Sequence, residues 1–118
     1  MVDKKKKDTQ KTAAGTNEEL LPEFQQWQDV LSLLGHACQE DKLDFLLSML
    51  LTFDERDALL ARMNILHELI KGEHSQRQVS QMLGVGVATI TRGSSELKKL
   101  QPEDKLQLQD MLKHIASN

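Results

Sequence analysis

Residues 75–99 read SQRQVSQMLGVGVATITRGSSELKK, two short apolar-periodic runs on either side of Gly84-Val85-Gly86. Two readings compete for the glycine pair: a phosphate cradle, or an elbow between helices. A dinucleotide fingerprint needs G-x-G-x-x-G placed after a strand and before a helix. Here Thr89 holds the third glycine position, the preceding run has helical period, and no G-x-x-x-x-G-K-[ST] occurs in the chain. The elbow remains. Val79 and Leu83 face inward on the first run, Gly84 supplies the turn, Val85 fills the angle and Ile90 anchors the second run. That pattern predicts a helix-turn-helix over about 76–99. The second helix then opens on Gly86, Ala88, Thr89 and Thr91, all small or hydroxylated. Such side chains let a helix start approach a groove, meet a thymine methyl and offer N–H groups to phosphate. Gln76 and Arg77 open the first helix, and an arginine there can bond phosphate or guanine O6 and N7. The bland alternative is a helical hairpin that only packs.

Working outward, the 118-residue chain has a net charge of −3, unevenly spread. Residues 20–70 hold three cations, Lys42, Arg56 and Arg62, against nine carboxylates. Residues 71–99 hold five, Lys71, Arg77, Arg92, Lys98 and Lys99, against Glu73 and Glu96. An acidic body with a basic segment fits a DNA-facing edge, and equally a solvated helical surface. Residues 1–16, MVDKKKKDTQKTAAGT, lack apolar periodicity and read as a disordered Lys-rich arm. Lys4 to Lys7 either trail along phosphates or serve as a solubilising tail. No apolar run reaches the roughly 18 residues of a membrane span, and none follows the N-terminal lysines as a secretory signal requires. The expected location is cytoplasmic. One cysteine, Cys38, excludes an internal disulfide framework.

The remaining periodicity is helical throughout. Phe24, Trp27, Leu31, Leu34 and Cys38 make one face, widened by Val30, Leu33 and Ala37. They predict a helix over about 18–39 with Pro22 in its first turn. Leu43, Leu46, Leu47 and Leu50 make a short second helix. Thr52 and Glu55 form a capping box for a third, whose stripe is Leu59, Met63, Leu66 and Ile70 and whose end is Gly72. Ser75 and Gln78 cap the fourth, over 76–83. The fifth runs from Val87 to about Lys99. Gln101-Pro102-Glu103 breaks the chain before a sixth with Leu108, Met111, Leu112 and Ile115. The expected class is all-α with six helices in one domain, 17–118. The wide apolar faces exceed what one small bundle hides, which predicts an intertwined homodimer.

Catalytic and metal patterns are near misses. His67-Glu68-Leu69-Ile70-Lys71 lacks the second histidine of H-E-x-x-H. His36 and Cys38 point in different directions on a helix. No Ser–His–Asp or Cys–His arrangement stands out. The expectation is a protein that is not an enzyme, with no metal and no cofactor.

With these residues in place, LLTFDERDALLARMNILHELIKGEHSQRQVSQMLGVGVATITRGSSELK, residues 50–98, resembles the core of the bacterial Trp repressor family. ATITRGS, 88–94, is its strongest signature. The resemblance implies a homodimer of six-helix chains that takes L-tryptophan as corepressor. The ligand sets two heads at the spacing of successive major-groove turns, a docking geometry of which the Trp repressor is itself a standard example. The liganded dimer then binds double-stranded operator DNA and represses tryptophan biosynthesis genes. By position, Arg62 and Arg92 sandwich the indole, Arg92 pairs the carboxylate, and Thr52 contacts that carboxylate. The carbonyls of Met49 and Leu51 of the other chain receive the amino group, and Gly93 leaves room for the ring. Gln76, Arg77, Gly86, Val87, Ala88, Thr89, Thr91 and Lys98 match DNA-reading or phosphate-binding positions. Met49, Phe53, Asn64, Ser80 and Glu96 depart from the family pattern. Ser80 stands where a lysine would contact phosphate. Glu96 stands where a serine is familiar near the ligand, and either pairs the corepressor's ammonium or points to solvent beside Lys99. Two other readings stay open: a ligand-independent DNA-binding regulator whose pocket Glu96 has spoiled, and an interaction protein that offers its apolar helices to a partner.

Overall fold

The computed structural model describes residues 10–11 and 19–117. Among them are six helices: α1 (Trp27–Gln39), α2 (Leu43–Leu50), α3 (Phe53–Lys71), α4 (Gln76–Leu83), α5 (Val87–Lys98) and α6 (Pro102–Ala116). The only strands among these residues are β1 (Gln10–Lys11) and β2 (Glu19–Leu20), an antiparallel pair with Gln10 opposite Leu20. Apart from Gln10 and Lys11, the arm read over 1–16 lies outside the described residues. The all-α class stands. The chain divides into two compact units, Met1–Met49 and Leu50–Asn118.

In the first unit, α1 starts at Trp27 and not near residue 18. The start is fixed by Asp29, whose Oδ2 accepts from the backbone N–H groups of Gln26 at 3.1 Å and Gln25 at 3.2 Å. Those are orphan donors of a helix N-terminus, and satisfying them ends the helix there. Pro22 lies outside the helix in an irregular stretch, because a proline drives its predecessor toward extended backbone. At the other end Lys42 N–H reaches Ala37 O at 2.8 Å, and Asp41 takes the left-handed conformation, φ 57°. An open hollow of about 360 Å³ is lined by Leu33, His36, Ala37, Glu40, Lys42, Phe45 and Leu46. Only Ala37 of the predicted α1 face is buried in the single chain; Phe24 and Trp27 remain 73% and 71% exposed.

In the second unit both predicted capping boxes form. Thr52 Oγ1 accepts from Glu55 N–H at 3.1 Å while Glu55 Oε1 accepts from Thr52 N–H at 2.8 Å. Ser75 and Gln78 repeat the pair at 3.1 and 2.8 Å. Gly72 and Gly84 close α3 and α4 at φ 68°, where a side chain would be strained. The core is Ile65 of α3, Val79 of α4 and Ile90 of α5, flanked by Leu69, Leu83 and Val85. The stripe read on α3 is therefore not the one buried within the chain. Ile65 and Leu69 face the core, Leu66 and Ile70 are half-buried, and Leu59 and Met63 are exposed. Apolar residues surround much of α3, so three-and-four spacing fits more than one stripe.

Gly93 is buried where α5 crosses α3, and a Cβ there would lie 2.9 Å from Ile65 Cγ2 and 3.6 Å from Leu69 Cδ1. Gly93→Ala is expected to cost about 1–3 kcal/mol by overpacking. Urea unfolding of the variant checks this, and an unchanged midpoint would show that α3 yields freely.

Candidate nucleic-acid interface

α4 and α5 are held together from inside by Val79 and Ile90, both 0% exposed. Their connection is three residues long. Gly84 and Val85 each direct their N–H to Ser80 O, at 2.9 and 3.2 Å. The Ser80 hydroxyl donates to Val85 O across the same turn. Ser80 thus has a structural task where the sequence suggested only a missing phosphate contact. A serine bonded five residues ahead, across a turn, leaves no spacing signature comparable to a capping box.

What this packing leaves outward is specific. Gln76, Arg77, Gly86, Val87, Ala88, Thr91 and Lys98 are exposed, and Thr89 is half-buried. All eight residues expected to meet DNA lie on α4, on α5 or at the start of α5. Gly86 caps α5 with φ −69°, and a Cβ added there would meet nothing within 4 Å. The chain's own packing does not require glycine at this position. The Thr91 hydroxyl donates to Gln76 Oε1 at 3.3 Å, which ties the second turn of α5 to the first residue of α4. Sequence spacing gave no sign of that contact.

Charge sorts the cations. Lys71 pairs with Glu68 at 3.5 Å and Glu73 at 3.8 Å, and Lys99 pairs with Glu96 at 3.2 Å. Arg77, Arg92 and Lys98 have no ion pair among the described residues. They are the cations on this face left to meet an outside anion.

The residues expected to hold a ligand are distributed as follows. Leu51 and Arg62 line one open hollow of about 400 Å³, with Glu55, Ala58 and Leu59. Thr52 caps α3, and its Oγ1 is engaged by Glu55 N–H. Arg92 and Glu96 are exposed four residues apart on α5, on one side of the helix. Gly93 between them faces α3, so its lack of a side chain already serves helix packing. Met49 is 70% exposed near the end of α2. Glu96 pairs with Lys99 at 3.2 Å. Phe53 is exposed, with the Arg56 guanidinium 5.5 Å from its ring centroid. Among the described residues no group of three His, Cys, Asp or Glu side chains converges as metal ligands would. None of their helices is long and apolar enough to cross a membrane.

Comparison with known proteins adds a family. The sequence profile described as "Trp repressor protein" matches residues 25–112. A Trp operon repressor homolog of Vibrio cholerae serotype O1 is 57% identical over 91 residues, covering 77% of this chain and 88% of that protein. A homolog of the same name from Photobacterium profundum is 57% identical over 91 residues, with the same coverage. One from Aliivibrio fischeri is 53% identical over 95 residues, covering 80% of this chain and 88% of its own.

Proposed function

The chain belongs to the Trp repressor family, and from that premise we propose how its residues carry the family's work. It is a tryptophan-responsive transcriptional repressor, a regulator and not an enzyme. In the proposed mechanism α4 and α5 form a helix-turn-helix head. α5 enters the major groove at Gly86, Val87, Ala88 and Thr89, while Arg77 and Lys98 meet phosphate or a guanine edge. The observation that carries this reading is the outward face of α4 and α5: small at the helix start, flanked by unpaired cations, on a buried Val79–Ile90 seam.

The functional unit is a homodimer. Exposed Phe24, Trp27, Phe45, Leu59, Leu60 and Met111 support it, since so many large apolar side chains left in water favour association. L-tryptophan is the corepressor. Arg62 and Arg92 stack on the indole, Arg92 and Thr52 take its carboxylate, and the carbonyls of Met49 and Leu51 from the second copy take its ammonium. Planar guanidinium groups suit both tasks. Gly93 lets the ring approach α5, and Glu96 leaves Lys99 for the ammonium. The ligand works by population shift, through differential affinity for one arrangement of the two heads. The repressor acts in the cytoplasm.

The test is selection from a randomised 20-bp duplex pool with and without L-tryptophan. Enrichment only with the ligand is expected, with affinity falling about a thousandfold between 50 and 200 mM salt if six or more phosphates are contacted. Equal enrichment without ligand would establish the ligand-independent regulator. No enrichment in either arm would leave the interaction protein. A second measurement reads the heads directly. Amide exchange over residues 75–95 is expected to slow when L-tryptophan is added, because ordering suppresses local opening. Unchanged exchange would refute head ordering.

A further inference from the structure

Gln76 and Thr91 are both assigned above to the DNA face, each separately. The structure joins them. Among the described residues, the 3.3 Å bond from Thr91 Oγ1 to Gln76 Oε1 is the one side-chain-to-side-chain hydrogen bond that links two helices. The residues are 15 apart in sequence and both exposed. It joins the first residue of α4 to the second turn of α5, apart from the Ser80–Val85 bond that closes the turn.

The consequence is chemical. A primary amide carries an acceptor oxygen and two N–H donors. A hydroxyl donating to Oε1 turns the oxygen toward α5 and leaves Nε2 as the group directed away. Bidentate recognition of adenine by glutamine uses both ends of the amide, Nε2 donating to N7 and Oε1 accepting from N6–H. An amide held by its oxygen keeps a second lone pair on Oε1, but its plane and the direction of Nε2 are then set by α5. A threonine hydroxyl that points at Gln76 is not offering its proton to DNA.

We propose that Thr91 is a positioning residue for Gln76: its hydroxyl holds the amide by Oε1 so that Nε2 is presented as a donor to an acceptor on DNA, a phosphate oxygen or the O6/N7 edge of guanine. The inference rests on reading α4 and α5 as a DNA-binding head. Thr91 acts through Gln76 and not on its own.

A double-mutant cycle separates the two roles. The probe is the duplex most enriched by the wild-type chain from the randomised pool in the presence of L-tryptophan. Thr91→Val is expected to weaken binding about three- to tenfold, the net worth of one hydrogen bond. In the Gln76→Ala background the same change is expected to cost less than about twofold. Thr91→Ser keeps the hydroxyl and is expected to restore wild-type affinity. Both sites are exposed, and circular dichroism of each variant confirms the helix content. An equal loss from Thr91→Val in both backgrounds would overturn the proposal, because Thr91 would then touch DNA directly. No loss in either background would overturn it as well. Failure of the wild-type chain to enrich any duplex would refute the DNA-binding reading itself. Two probe modifications identify the acceptor. If it is a guanine edge, 7-deazaguanine at one position abolishes the difference between wild type and Gln76→Ala. If it is a phosphate, a methylphosphonate does so. If neither does at any position of the half-site, the assignment of Nε2 as a donor to DNA fails.

Discussion

Arg92→Ala is expected to remove the heat of L-tryptophan binding while leaving the helix content of the chain unchanged. In the proposed pocket this guanidinium does two jobs, stacking on the indole face and pairing the carboxylate. Hydrogen bonds to a charged group and a cation–π contact together are worth enough for a loss of about a hundredfold or more. The structure offers little that would confound the result. Arg92 is exposed and has no ion pair among the described residues, so its removal leaves no buried charge behind. Arg92→Lys sharpens the test, since it keeps the charge and loses the planar fork; it is expected to fall between the two. Calorimetry on exhaustively dialysed protein is the right readout, because Trp27 would mix with the ligand in any fluorescence signal. Normal binding by the alanine variant would place the pocket elsewhere.

Ile90→Ala acts on the opposite side of the same helix and is expected to cost about 2–5 kcal/mol. Ile90 is fully buried between α3 and α4, in contact with the cluster of Ile65 and Val79. Among the described residues only three side chains form the fully buried cluster, so the void has few neighbours able to fill it. A loss of this size is a large part of the about 5–15 kcal/mol that holds a domain folded. The expected signs are a lower urea midpoint and faster amide exchange over α4 and α5. Val87→Ala, half-exposed on the outer face, serves as the control and is expected to stay within about 0.5 kcal/mol. Equal effects of the two changes would mean that the Val79–Ile90 seam is not what holds the head together.

These contrasts show which features were legible in the sequence. Caps are local chemistry, and Thr52-x-x-Glu55, Ser75-x-x-Gln78, Gly72 and Gly84 predicted the bounds of α3 and α4 from a few neighbouring residues. The inward set Val79, Leu83, Val85 and Ile90 was legible because each residue had one apolar face to choose from. α3 was not, since Ile65 and Leu59 lie on different sides of a helix that is apolar on both. The start of α1 was missed because Pro22 fits a first helical turn as well as an irregular lead-in, and only the Asp29 carboxylate decides. In the candidate site, exposure followed the expected DNA face. The side-chain links Ser80–Val85 and Thr91–Gln76 were invisible, because each depends on how a turn brings separate segments together. Gly93 shows a different kind of gap: one small residue serves helix packing as well as the role proposed for the ligand.

Gly86 has a consequence for how such a regulator can change over time. A serine or asparagine at that N-cap would fasten the start of α5 somewhat better than glycine does, and the chain has open space to receive it. Nothing in folding resists the exchange. In the proposed docking the cost falls on the DNA side, where any added atom would stand between the helix start and the groove floor. Selection for a sturdier head and selection for close groove approach therefore oppose each other at one backbone position. A drift in operator preference can begin there without any penalty in stability.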